Sequence, residues 1–242
     1  MSAIIPVFNG ERFLVEAIES VLAQDYDPLE IIIIDDGSTD NTPRIAAGYA
    51  DRIRYVRQEN GGPAAARNAG LLHSHGEAVS FLDADDLWTP GKLMSQAAGL
   101  SERASVDIVL GHLQRIKWTC AQEFECHGTP ELSLSLGASL IRRQAFDVVG
   151  TFDESLRLAD DWDWFMRARE LGLSILVQQD VVLFYRRHED NLTNQRDEGD
   201  RLTVEVLRRS LERRRKRDGE ASSLPPIRGR PSEGPRGKGP SG

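Results

Sequence analysis

The sequence predicts an α/β fold: a mostly parallel central sheet flanked by helices, with a smaller α+β extension in the second half. Apolar, β-branched runs alternate with amphipathic stretches through the first half, as successive βαβ units require. The run Ile31-Ile32-Ile33-Ile34 is too apolar for a half-exposed strand and belongs at a sheet centre with both faces covered. With 242 residues, 40% of them hydrophobic and 28% charged, the chain can bury a sizeable core, which excludes global disorder. No apolar run approaches the roughly 18 residues of a membrane span, and Met-Ser-Ala-Ile-Ile-Pro at the start lacks the pattern of an export signal, so the chain is expected to be cytoplasmic.

Ala3 to Phe8 reads as the first strand. Glu11 to Gln24 places Leu14, Ala17, Ile18, Val21 and Leu22 on one helical face, the spacing of a helix laid on a sheet. Ile31 to Ile34 is the second strand, followed by a helix with Pro43 in its first turn. Ile53 to Arg57 is a short third strand, and Gly61-Gly62-Pro63 opens an alanine-rich helix to about His73. Ala78 to Leu82 is the fourth strand; Thr89-Pro90 restarts a helix, and Val106 to Leu110 is the fifth strand. Beyond it we expect a hairpin around Ile116 to Glu125, a strand at Ala138 to Ile141, a helix from Asp160 to Leu171, and strands near Ile175 and at Val181 to Tyr185. Asp197 to Arg217 reads as a solvent-facing charged helix, and from Gly219 the Pro, Gly, Ser and Arg content reads as a disordered tail.

The net charge of −8 conceals a division. From Arg208 onward eleven basic residues face four acids, so the first 207 residues carry −15. Such an acidic body argues against a nucleic-acid surface, and a phosphorylated ligand would need a metal to offset the repulsion. The basic end reads either as an inert extension or as a tether to anionic lipid. Cys120 and Cys126 are too few for a structural zinc site and read as reduced thiols, a hairpin disulfide being the alternative. Asn191-Leu192-Thr193 matches the glycosylation acceptor pattern without an export signal behind it.

In an open parallel sheet, ligands bind beyond the C-terminal strand ends. Four predicted ends carry polar residues: Asn9, then Asp35-Asp36, then Glu59-Asn60-Gly61-Gly62, then Asp83-Ala84-Asp85-Asp86. Three carboxylates within four residues repel one another unless a cation or solvent holds them. Hard carboxylate oxygens select Mg²⁺ or Mn²⁺; the alternative is a solvated turn whose last Asp caps the next helix. Asp35-Asp36-Gly37-Ser38 can accept from a base or ribose, or build an Asx turn, or both. Gly61-Gly62-Pro63 leaves helix N–H groups as a phosphate cradle, with Arg67 one turn inside. Asp160, Asp161 and Asp163 lie at a second helix start beside Trp162 and Trp164, where acids also simply suit the helix dipole.

Six blocks in order, Ile4-Ile5-Pro6-Val7-Phe8-Asn9, Ile34 to Asp40, Asn60-Gly61-Gly62-Pro63 with Ala66-Arg67-Asn68-Ala69-Gly70, Leu82 to Asp86, Gly150 to Glu154, and Ala159 to Asp163, resemble the family 2 glycosyltransferases from Ile4 to about Asn194. The resemblance implies a GT-A fold and an inverting, metal-assisted transfer of a sugar from a nucleotide diphosphate sugar, with a UDP-sugar as the expected donor. A glycan or lipid-linked glycan of cell-envelope polysaccharide biosynthesis would be the acceptor. It divides the chain into a nucleotide-sugar-binding half at 1–111, an acceptor-binding and catalytic-base half at 112–196, a charged helix at 197–217 and a basic tail at 218–242.

Within that pattern Phe8 would sit against the nucleobase, beside Pro6 and Asn9, and Glu11 completes this edge of the nucleotide site. Asp36, with Asp35, would contact base or ribose. Asn60, Gly61, Arg67, Asp83 and Ala84 complete the nucleotide set. Asp85 with Asp83 would hold the metal on the diphosphate, and His188, in Tyr185-Arg186-Arg187-His188, matches a family element near it. Asp161 falls where the family places its catalytic base, with Asp160 and Trp162 toward the acceptor; the familiar Glu-Asp is here Asp160-Asp161. Two rivals remain: a catalytically inactive nucleotide-sugar-binding scaffold, and a sugar nucleotidyltransferase, whose glycine-rich basic loop after the first strand is poorly matched by Phe8-Asn9-Gly10-Glu11-Arg12.

Overall fold

The computed structural model describes residues 1–118, 124–156, 158–189, 191, 196–218, 224 and 228–229. The first half alternates as the sequence requires: β1 (Ser2–Val7), α1 (Leu14–Leu22), β2 (Glu30–Asp35), α2 (Thr42–Ala47), β3 (Arg54–Arg57), α3 (Pro63–His73) and β4 (Ala78–Phe81). Then come β5 (Leu87–Trp88), α4 (Lys92–Ser101), β6 (Ile108–Trp118), β7 (Phe124–Leu132), β8 (Ser139–Arg142), α5 (Arg143–Val149), α6 (Asp160–Glu170), β9 (Ile175–Arg186), α7 (Arg196–Asp218) and β10 (Arg228–Gly229).

One sheet carries all strands in the order β10-β9-β6-β8-β4-β1-β2-β3, with β5 beside β9 and β7 beside β6. β3, β2, β1 and β4 are parallel, β8 is antiparallel to both β4 and β6, and β6 is parallel to β9. From β1 the chain steps outward to β2 and β3, then returns to β4 on the other side of β1, so the strand order reverses there. The crevice that such a reversal opens is where a ligand binds in this architecture. Ile32, Ile33 and Ile34 are wholly buried, as their unbroken apolar run requires.

The second half departs from expectation in four ways. The expected fifth strand and the first arm of the hairpin are one long strand, β6, so the 111/112 division falls within a strand. The two strands expected near Ile175 and Val181 are likewise one, β9; the polar stretch Gln178-Gln179-Asp180 reads as a break, yet Gln178 is buried and donates to Ser95 O, and register shifts against β6 near His112 absorb the irregularity. The short elements β5 and α5 carry too few residues for a periodic signal. Lastly, α7 is not simply solvent-facing. Val206 and Ser210 are fully buried, and Val206 packs with Leu156, Ala159 and Met166. Arg209 pairs with Asp153 at 2.9 Å, and Arg213 with Glu170 at 2.7 Å and Asp163 at 3.1 Å. A charge-rich sequence docked because its arginines, four residues apart, meet acids on one helix face.

Arg228–Gly229 pairs with Leu176 and Val177 of β9, and Leu224 packs near Val206, so the stretch after Gly219 has contacts at these points; the rest of the expected disordered tail lies outside the described residues. Cys120, Leu192 and Thr193 also lie outside them. Cys126 is an exposed free thiol. Asn191 is buried and hydrogen-bonded through both ends of its amide, which removes it as a glycosylation acceptor. Among the described residues no helix is long and apolar enough to cross a membrane.

Candidate active site

A cleft of about 760 Å³ opens over the C-terminal ends of β1, β2 and β4. Pro6, Phe8, Asn9, Asp36, Asn60, Arg67, Asp83, Ala84, Asp85 and His188 line it, so most of the sequence-assigned residues converge. Asp35, Glu11, Gly61, Asp160, Asp161 and Trp162 are not among the lining residues.

The wall made by the β1 end is built on Asn9, whose backbone adopts φ 51°, and on Gly10, where a Cβ would come within 2.4 Å of Val7 Cγ2. Asn9 Oδ1 accepts from the Thr39 N–H at 2.8 Å, and the Asn9 N–H donates to Ser38 Oγ at 2.9 Å. Glu11 Oε2 accepts from Asn41 at its backbone N–H (3.0 Å) and side-chain amide (2.7 Å). Glu11 therefore ties two loops together behind the cleft, while Phe8, 53% exposed, presents an aromatic face to it.

The second wall is built by two adjacent aspartates. Asp35 is fully buried; it accepts from the Ser38 N–H at 2.7 Å, closing the Asx turn, and from the Tyr55 hydroxyl. It holds the turn from behind and is out of reach of a ligand. Burial, then this hydrogen bond and the Asp35 charge, hold the Tyr55 phenol well above its ordinary value. Asp36 accepts from Gly61 N–H (2.9 Å), Gly62 N–H (2.8 Å) and Gln58 Nε2 (2.7 Å). Asp36 thereby takes the Gly61 and Gly62 N–H groups expected for a phosphate cradle at the start of α3 and supplies there the anion a helix N-terminus favours. Gly62, with φ 91°, is the glycine that the entry into α3 requires.

The turn after β4 distributes its three acids. Asp86 is buried and accepts from the Arg186 N–H at 2.8 Å, linking the ends of β4 and β9; burial, then Asp85 and Asp83, hold its carboxyl well above the ordinary range. It is neither a helix cap nor a cleft residue. Asp85 Oδ2 lies 2.9 Å from His188 Nε2 and accepts from Asn191 Nδ2 at 3.1 Å. The His188 ring stands against Phe13, centroids 4.7 Å apart, and the Arg12 and Arg186 guanidinium groups cover the same Phe13 ring at 4.7 and 4.5 Å. Asp83 Oδ1 instead accepts from Arg67 Nη2 at 2.9 Å, and Arg67 Nη1 donates to Asp160 Oδ2 at 2.7 Å.

Asp160 and Asp161 open α6, which Trp164 and Phe165 anchor in the core; Trp164 Nε1 donates to Gly150 O at 2.9 Å. Of the two tryptophans only Trp162 is exposed. Asp160 is buried and Asp161 half-buried, and burial, then the charge of Asp160, push the Asp161 carboxyl up to about 7 against the opposing Arg67. That is where a general base is most effective near neutral pH. Phe13, Leu158, Tyr185 and Asn191 also line the cleft and were not assigned from sequence. Asn191 stands three residues after His188 and could have been sought as the group closing that turn.

The chain matches the glycosyl transferase family 2 model over residues 2–153. It belongs to glycosyl transferase family 2. An uncharacterized glycosyltransferase of Rickettsia prowazekii is 35% identical over 211 residues, spanning 80% of this chain and 66% of that protein. An uncharacterized glycosyltransferase of Nostoc sp. is 42% identical over 120 residues, 48% of this chain and 37% of its own. The chain thus spans just under two thirds of the Rickettsia prowazekii protein and a smaller share of the Nostoc one. Among solved structures, Staphylococcus aureus TarS in complex with UDP-GlcNAc superposes with a TM-score of 0.70 at 24% identity over 85% of this chain and 64% of that one. The mannosyltransferase PcManGT of Pyrobaculum calidifontis, in complex with GDP-Man and Mn²⁺, gives 0.69 at 22% identity over 91% and 65%. These likenesses establish the GT-A fold for this family 2 chain.

Proposed function

We propose that this chain is an inverting glycosyltransferase that moves a sugar from a nucleotide diphosphate sugar to a hydroxyl of a glycan or lipid-linked glycan. The observation that carries it is the meeting of two distant segments at one cleft: Asp85 reaches His188 across 103 residues of sequence, while Arg67 in the same cleft holds the start of the helix bearing Asp161.

A facing carboxylate oxygen and imidazole nitrogen suit Mn²⁺ or, with more water, Mg²⁺. No group of three His, Cys, Asp or Glu residues converges among the described residues, so Asp85 and His188 would be its principal ligands, with Asp83 drawn away by Arg67. Few protein ligands leave positions for phosphate oxygens; when bound, the ion neutralises charge developing on the departing diphosphate. Phe8 offers a stacking face to the base, and Asn9 and Asn60 offer amide groups at the same wall. Asp161 takes the proton of the acceptor hydroxyl as that oxygen attacks the anomeric carbon opposite the nucleotide, and configuration inverts in one displacement. Trp162, exposed beside that base, would meet the acceptor, whereas Asp160, expected there from sequence, is buried against Arg67. A UDP-sugar is the donor favoured by the TarS complex, and a GDP-sugar by the mannosyltransferase complex. A lipid-linked acceptor would place the chain at the inner face of the membrane, with basic residues from Arg208 other than the body-paired Arg209 and Arg213 as its contact.

Calorimetric titration with UDP, GDP and dTDP, each with and without Mn²⁺, decides the donor class. Metal-dependent binding of one nucleotide, weakened at least about tenfold by Asp85→Ala, is expected. Absence of binding under every condition refutes the reading, and binding without turnover favours the inactive scaffold.

A further inference from the structure

Arg67 is the buried cation at which three acids from two distant segments converge. It is 8% exposed, and its two terminal nitrogens are spent on Asp83 at 2.9 Å and Asp160 at 2.7 Å, with Asp161 next in sequence. The Nε is buried without a hydrogen-bond partner. A guanidinium engaged at both ends by carboxylates offers no fork to a diphosphate, and freeing one end would leave Asp160, itself only 3% exposed, as a buried unpaired charge. The nucleotide-contact role expected for Arg67 from sequence therefore fits its geometry poorly.

We propose that Arg67 is a positioning residue for the base, yoking the acid-rich start of α6 to the turn after β4 so that both keep one geometry and one charge balance. This rests on Asp161 acting as the base of the proposed transfer. The charged groups acting on Asp161 are Asp160 on its own helix, Asp83 after β4 and Arg67 on α3. The two aspartates favour its protonated form and Arg67 its ionised form. Arg67 acts on the base through its ion pair with Asp160 and its charge beside Asp161.

The test compares Arg67→Met, Arg67→Lys and Asp160→Asn. Protein with ¹³Cγ-labelled aspartate is titrated by NMR, the Asp161 signal being identified by its loss in Asp161→Asn. The Asp161 midpoint is expected to rise by about one pH unit or more in Arg67→Met, and by less in Arg67→Lys, whose ammonium reaches one carboxylate but cannot span two. In Asp160→Asn it is expected to fall. The pH dependence of donor turnover moves in the same directions, and in Asp160→Asn, which leaves Arg67 on Asp83, binding of UDP or GDP with Mn²⁺ stays within about threefold. Loss of packing alone does not shift one midpoint up and the other down, and if Arg67→Met fails to fold, Arg67→Lys and Asp160→Asn carry the comparison. Unmoved midpoints overturn the proposal, and loss of nucleotide binding by more than about tenfold in Arg67→Lys with an unmoved midpoint makes Arg67 a phosphate ligand instead. Shifted midpoints in a protein without transferase activity leave the yoke standing and refute Asp161 as the base.

Discussion

Two pairs of adjacent aspartates near the cleft are treated in opposite ways. On the side of β1 to β3, Asp35 and Asp36 are both buried, and each carboxylate is filled by neutral donors: the Ser38 N–H and Tyr55 hydroxyl for one, two glycine N–H groups and Gln58 for the other. On the side of α6, Asp160 and Asp161 are adjacent, share the influence of one arginine, and the second is pushed up to about 7. Donors supplied by backbone and amide groups fix a turn without adding charge, which makes a rigid wall. Adjacent carboxylates around a single cation leave one of them free to take a proton, at a cost to the folded state. Stability and reactivity are thus built from the same residue type by changing only what faces it.

The sharpest way to break the contrast is Asp161→Asn. Donor turnover is expected to fall by about a thousandfold or more, while nucleotide affinity measured by calorimetry changes by less than about twofold. Next in size is Asp36→Ala, which removes an anion from the start of α3 and strands the Gly61 and Gly62 N–H groups. A loss of about 2–3 kcal/mol in denaturant unfolding, together with weaker nucleotide binding, is expected. Normal stability in that variant would mean that water replaces the carboxylate without cost.

A smaller effect concerns pH and carries the opposite sign. Because the folded value of Asp161 lies above its unfolded value of about 3.8, the folded chain holds a proton that the unfolded chain has released between about pH 4 and 7. The stability this contributes is fully present below about pH 4 and is lost as pH rises through 7. Asp161→Asn is therefore expected to be more stable than the wild type near pH 8 by about 1–2 kcal/mol, after discounting for the partial exposure of the group, with the difference fading toward pH 4. Thermal melts across that range check it. An unchanged difference at all pH values would mean that the carboxyl ionises normally in the fold.

Much of this molecule follows from local sequence. The run Ile31 to Ile34 determines a central strand because no half-exposed environment accepts four isoleucines in succession, and the spacing of Leu14, Ala17, Ile18 and Val21 determines the buried face of α1. The polar ends of β1, β2 and β4 announce the cleft, since a polar residue following an apolar strand has nowhere else to lie. The short β5 and α5 carry no periodicity to read, and α7 reads as a solvated helix because arginine looks alike whether it meets water or Asp163. What the sequence could not apportion was the partner of each aspartate. Asp35, Asp36, Asp83, Asp85, Asp86, Asp160 and Asp161 are chemically one residue, and their differences in burial, partner and task come from contacts between segments up to about a hundred residues apart. Only the tertiary structure places Tyr55 on Asp35, Arg67 between Asp83 and Asp160, and His188 on Asp85, because those pairings are decided by the folded sheet and not by the neighbours along the chain.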